Sequence, residues 1–253
     1  MLKQFSGLIL LLVLVLIGSS FNVGAIDSGG NDAVVTLLQG TARIFDKGDT
    51  RGRDLKKGDT IKRDEEVSVA AQSRLEMLFP DGTVMRLAEK SRLKMSQLSF
   101  NKKTESKNVK VDLSVGKLWA KVKKLATPDS SVEVQTSNAV AGVRGTVYRV
   151  NVEEDKSALV RVYDGTVYVT NPPRDALKTE GTATAPYQVE GPHEVPPPYH
   201  EVSREEWTAI VTAMQQITIS PHGVPSKPQD FDPKADQDDW VNWNQERDKE
   251  TSF

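Results

Sequence analysis

Ala139-Val140-Ala141-Gly142-Val143-Arg144-Gly145-Thr146, followed by the alternating run Val147-Tyr148-Arg149-Val150-Asn151-Val152, is the stretch whose reading decides the fold. Two glycines three residues apart mark places where the backbone must bend sharply or approach another segment closely. Arg144 lies between them as a cation at a tight corner. Strand patterns flank it, Val132-Glu133-Val134-Gln135-Thr136 before and Thr146 to Val152 after. On this reading Gly142, Arg144, Gly145 and Thr146 form a structural motif, in which the five-donor fork of Arg144 latches carbonyls or a carboxylate at the corner. Ligand contact by Arg144 is the alternative.

Outward from that corner the same alternation runs from about residue 32 to residue 171. Leu75, Met77 and Phe79 share one face of a strand, with Arg74 and Glu76 on the other, and Met85 and Leu87 repeat the pattern after the turn Pro80-Asp81-Gly82. Tyr148, Val150 and Val152 point one way, Val147, Arg149 and Asn151 the other. One buried face and one wet face is the expected arrangement. Glycine opens strand after strand (Gly40, Gly82, Gly116, Gly145, Gly165), but at shrinking intervals, so a regular repeat array is not supported. The fold class is mainly β: a twisted, β-solenoid-like roll or sandwich. Asp46 to Gly52 and Asn101 to Lys110 read as solvated hairpin tips, the second rich in lysine.

Beyond this domain the composition changes. Residues 172–202, with Pro172-Pro173, Pro192 and Pro196-Pro197-Pro198, form a proline-rich linker. Residues 203–219 read as an amphipathic helix: Ser203 and Glu206 resemble a capping box, and Trp207, Ile210, Val211 and Met214 fall at i, i+3, i+4 and i+7. Such a stripe either docks on the β domain or binds a partner. Residues 220–253 form an acidic linker and a tryptophan-containing tail, where a helical reading places Trp240 and Trp243 on one face beside Arg247. Trp207, Trp240 and Trp243 are the candidate partner contacts.

At the other end, residues 1–25 have the layout of a secretory signal peptide: Lys3, the apolar run Leu8 to Ile17, and small residues before an expected cleavage after Ala25. The apolar run is about half of the ~20 residues a spanning helix needs. No stable membrane anchor is therefore expected after cleavage, and the location is periplasmic or secreted. Only Lys3 among charged residues is lost, so a near-neutral chain (net −2) becomes slightly more acidic. That balance and export together argue against nucleic-acid partners. With no cysteine, disulfides, thiol catalysis and zinc–thiolate sites are excluded.

No catalytic constellation survives inspection. His193, His200 and His222 all lie in proline-containing connections, without the rigid support that a metal ligand or triad member requires. Asp230, Asp232, Asp236, Asp238 and Asp239 lack a calcium-loop pattern, because Lys234 breaks the alternation and Ala235 stands where glycine is required. Gly142-Val143-Arg144-Gly145 matches a Gly-x-x-Gly nucleic-acid clamp, but that clamp sits between helices and both flanks here are strands. The expectations are no enzyme, no cofactor, no metal site, and a protein or envelope component as partner.

Residues 34–170 resemble the FecR domain family. The resemblance rests on Leu55-x-x-Gly58-Asp59-x-Ile61, Leu78-Phe79-x-Asp81-Gly82-Thr83-x-Met85-x-Leu87, Leu113-x-x-Gly116-x-Leu118, Val134-x-Thr136 with Ala141-Gly142-Val143-Arg144-Gly145-Thr146-x-Tyr148-x-Val150, and Asp164-Gly165-x-Val167. It implies a non-enzymatic, extracytoplasmic all-β module over residues 32–171. Founding members of the family belong to transmembrane regulators that pass a signal from an outer-membrane receptor to a cytoplasmic sigma factor. Here no cytoplasmic domain precedes the apolar segment, so the first reading is an exported, non-catalytic binding or scaffold protein. The second is a periplasmic signalling component, and the third a binder or enzyme acting on cell-wall glycan. The tail Trp243-Asn244-x-x-Arg247-Asp248 resembles a short element of secreted FecR-domain proteins.

Overall fold

The computed structural model describes residues 31–101, 103–125, 127–173 and 206–251. The expected signal peptide therefore lies outside the described residues, as does the proline-rich linker apart from Pro172 and Pro173. In chain order the elements are β1 (Ala33–Gln39), β2 (Ala42–Phe45), β3 (Arg53–Asp54), β4 (Thr60–Ile61), β5 (Glu66–Val69), β6 (Arg74–Leu78), β7 (Val84–Leu87), β8 (Arg92–Asn101) and β9 (Ser106–Lys121). They continue with β10 (Ser131–Gln135), β11 (Val140–Val143), β12 (Val147–Val152), β13 (Ala158–Asp164), β14 (Thr166–Thr170), β15 (Thr208–Thr212), β16 (Gln215–Ile219), β17 (Gln229–Asp230) and the helix α1 (Asp239–Glu250).

The chain crosses repeatedly between two sheets. Sheet A has the order β4-β1-β6-β7-β9-β12-β13-β16-β17. Sheet B has the order β3-β2-β5-β8-β9-β10-β11-β14-β15. The long strand β9 belongs to both. Its first part pairs with β8 and, in parallel, with β10; its last part lies between β7 and β12. Gly116 is the bend. Its φ is +99°, and a Cβ there would lie 2.5 Å from Ser91 Cα, so only glycine fits. Gly116, expected to open a strand, is thus a corner within one.

Between the sheets lies the core, which takes in the inward residues Leu75, Met77, Met85, Leu87, Tyr148 and Val150 that the alternation identified. Leu75, Met77, Met85, Leu87, Leu118, Tyr148 and Val150 of sheet A are buried against Val67, Met95, Val111, Val134, Val167 and Val211 of sheet B. The mainly β, sandwich-like expectation holds. No described helix is long and apolar enough to cross a membrane.

Two expectations are overturned. Residues 206–219 are not an amphipathic helix: they contain the strands β15 and β16, joined at Met214 with φ +64°. The segment is rich in β-branched residues (Thr208, Ile210, Val211, Thr212, Ile217, Thr218, Ile219), which pack well on a pleated surface. β15 extends sheet B beside β14, and β16 extends sheet A beside β13. Nor is Asn101 to Lys110 all hairpin tip. β9 has begun by Ser106, and Lys107 is buried, its Nζ paired with the Asp81 carboxylate.

Candidate functional site

The outer face of sheet A is where the sequence reading placed its wet residues. Register aligns Glu76 (β6), Arg86 (β7), Trp119 (β9), Arg149 (β12), Arg161 (β13) and Gln216 (β16) in one row straight across the sheet. Most of this row is not wet. Arg86 is 0% exposed, and Glu76, Trp119 and Arg149 are also buried. Their cover is the C-terminal segment from Phe231 to Thr251, which lies across the row as a strap.

The strap is built to dock. Asp238 caps α1, accepting from the Val241 N–H at 2.7 Å. Asp239 in the first turn and Arg247 and Lys249 in the last complement the helix dipole. A helix this short is marginal alone, and its held face carries Trp240, Val241 and Asn244. Trp240 and Val241 pack with Ala88 and Trp119 into a second apolar cluster, and Trp243 stacks on Trp240 with centroids 5.4 Å apart. Arg74 and Arg86 lie against the Trp243 ring at 5.1 and 5.9 Å.

Charge completes the contact. Arg86 donates from Nε to Glu76 Oε2 (2.7 Å) and from Nη1 to Asp248 Oδ1 (2.6 Å). Asp248 Oδ2 also accepts from Trp119 Nε1 at 3.0 Å. Arg247 Nη2 reaches Glu76 Oε1 at 2.8 Å, and Lys121 Nζ donates to the carbonyls of Asp248 and Thr251 at 2.8 Å each, closing the C-terminal end of α1. Burial acts to raise the Glu76 carboxyl pKa. Hydrogen bonds from Arg247, Arg86 and Thr36 outweigh it and hold the group below its ordinary value. Further along the row, Asp236 takes Arg149 Nη2 (2.5 Å), Arg161 Nη1 and the Tyr163 hydroxyl (2.5 Å). The Tyr163 pKa is pushed up, first by burial and also by its bond to Asp236. Tyr163 in turn packs on Trp119 at 4.5 Å and edge-on to Phe231 at 5.5 Å.

These contacts reassign the tryptophans. Trp240 is buried, and Trp243 is half-buried against the arginines. Trp207 packs on the main core, donating from Nε1 to the Gly223 carbonyl at 3.2 Å. All three make contacts within the chain.

The corner motif divides as well. Gly145 has φ +86°, and a Cβ would lie 2.8 Å from Lys124 Cα, so glycine is required. Thr146 is buried and exchanges both main-chain hydrogen bonds with Val122, at 2.9 and 3.2 Å. Arg144 is exposed, and its guanidinium makes no hydrogen bond or ion pair among the described residues, so the latch is the backbone pair and not the arginine. Gly142 is not needed for close packing: a Cβ there would meet only the Tyr168 carbonyl, at an ordinary 3.9 Å.

Gly142 belongs instead to the outer face of sheet B. There the register aligns Lys110, Glu133, Gly142, Tyr168 and Ile210 across β9, β10, β11, β14 and β15. No described segment covers this row. Tyr168 is 49% exposed and Ile210 54%, side by side on paired strands. Next to them runs a groove of about 370 Å³ lined by Lys110, Glu133, Val140, Pro172, Pro173 and Trp207. The sequence reading missed this site because Ile210 was placed on a helix. Among the described residues no group of histidine, aspartate or glutamate side chains could hold a metal ion.

Residues 65–168 match the family model described as FecR protein. Two solved structures of a "putative anti-sigma factor" from Parabacteroides distasonis are similar at 17% identity, with TM-scores of 0.45 and 0.44. Each alignment covers 67% of this chain and 61% of that one, so the chain spans less than two thirds of that protein's length. No curated protein matches the chain.

Proposed function

We propose that this chain is an exported, non-catalytic binding or scaffold protein of FecR type, which engages a protein component of the envelope through the outer face of sheet B. The observation that carries this reading is the exposed Tyr168–Ile210 pair beside the groove, which no described segment covers. Exposed aromatic and aliphatic anchors next to a polar-rimmed groove have the composition of protein contact sites. The layout of residues 1–25 supports export, and the mature chain is expected to begin at Ile26. The FecR match favours a second use of the same face, as a periplasmic signalling component. The glycan reading loses its support, because Trp240 and Trp243 are committed to the strap contact.

A photo-crosslinking residue at position 168, expressed in the native envelope, tests the proposal. A discrete protein adduct, lost on Ile210→Lys, is expected. Only diffuse labelling of abundant proteins would overturn it. Altered sigma-dependent transcription on deletion of the gene would favour the signalling use.

A further inference from the structure

Each sheet ends in two terminal strands, and three of the four ends are closed to further pairing. β3 is two charged residues, Arg53-Asp54; β4 is Thr60-Ile61, followed directly by Lys62-Arg63; β17 is Gln229-Asp230, with Pro228 before it and Pro233 shortly after. Short length, charge and proline are the devices by which sheet edges avoid adding strands. β15 has none of them. It is the five-residue run Thr208-Ala209-Ile210-Val211-Thr212, uncharged throughout, and among the described residues it pairs only with β14.

The unused side of β15 has a definite polarity. Trp207 donates its N–H back toward β14, to Asn171 Oδ1 at 3.1 Å, whereas the Thr212 N–H is taken by Gln215 Oε1 at 3.2 Å. Main-chain groups alternate sides along an antiparallel ladder. Residues 209 and 211 therefore bond to β14, and the N–H and C=O of Thr208 and Ile210 face outward.

We infer that β15 pairs antiparallel with β15 of a second copy of this chain, about a two-fold axis through Ile210. This rests on the proposed use of the sheet B face as a contact surface. At Ile210 the two copies exchange both main-chain hydrogen bonds, and each Thr208 N–H reaches the Thr212 carbonyl opposite without displacing Gln215. The apolar pair Tyr168–Ile210 then continues across the seam into its own symmetry mate. Charge also favours self-pairing. An uncharged strand demands no complementary charge, and the nearest carboxylate, Glu206, falls at opposite ends of the pair, where it faces Met214 of the other copy. The interface is small against the ~1,200 Å² of stable complexes, so the dimer is weak and concentration-dependent.

A two-fold axis through one residue makes a sharp test, since a substitution there meets itself. In sedimentation velocity the full mature chain is expected to pass from monomer to dimer with rising concentration. Ile210→Lys and Ile210→Glu should each weaken association by about tenfold or more, because like charges are set directly opposite. Mixing the two variants should restore the dimer. Position 210 is exposed, so both variants should keep the wild-type melting temperature. A wild-type chain monomeric throughout overturns the inference, and so does a dimer that the Lys and Glu variants leave intact or their mixture fails to restore. If the chain is monomeric while the residue-168 crosslinker still captures another envelope protein, the self-pairing fails and the binding function stands.

Discussion

The outer face of sheet A and the outer face of sheet B are built from the same alternating strands, yet among the described residues one is sealed and the other open. On sheet A, three arginines and a tryptophan in one row would form a strongly cationic face. The strap neutralises it with Asp236 and Asp248 and covers it with Trp240 and Trp243. On sheet B the corresponding positions are mixed in charge near β9 and apolar toward β15, with no described cover. The difference teaches where to look for function. Polar residues on a β domain mark its stability when the chain itself answers them. Apolar residues left unanswered mark its contacts.

Substitutions should separate the two faces by magnitude. Glu76→Ala strands the buried Arg86 and weakens the hold on Arg247, and should cost about 3–5 kcal/mol, the range for breaking a buried ion pair. Denaturant unfolding measures this, and a cost under about 1 kcal/mol would mean that the strap is not seated. Trp240→Ala empties the second cluster, with an expected loss of about 3 kcal/mol in the same assay. Gly145→Ala forces a side chain onto Lys124 at a left-handed position and should cost about 2 kcal/mol. Tyr168→Ala, on the open face, should stay within about 0.5 kcal/mol of wild type while reducing partner capture.

Acid sharpens the comparison further. The Glu76 pKa is lowered in the folded state, so its contribution is fully present above the ordinary carboxylate value of about 4.3 and is lost as pH falls through the lowered folded value. Tryptophan fluorescence should follow release of the strap in that acid range. A Glu76→Gln variant should start less stable and lose less on acidification. An identical pH profile for the two proteins would remove Glu76 from the contact.

Much of the sandwich was legible in the sequence, because alternation names the inward residues directly: Leu75, Met77, Tyr148 and Val150 are buried as read. The sealing of sheet A was not, because its partners are remote. Arg86 meets Asp248 across 162 residues and Glu76 meets Arg247 across 171. One signal existed. The tail element Trp243-Asn244-x-x-Arg247-Asp248 supplies one residue after another to that contact, so a charged element at the chain end and arginines on strand exteriors could have been read as complements. The β15–β16 segment was misread because Trp207, Ile210, Val211 and Met214 also satisfy helical spacing. The surrounding β-branched residues were the better guide.

Hydrogen exchange of the dilute monomer tests the central contrast most directly. The amides of α1 from Asn242 onward should exchange only as slowly as those of β7 and β9, through unfolding of the domain, while the outward amide of Ile210 should exchange rapidly. Fast exchange throughout α1 beside protected strands, or strong protection of Ile210 in the monomer, would contradict the account.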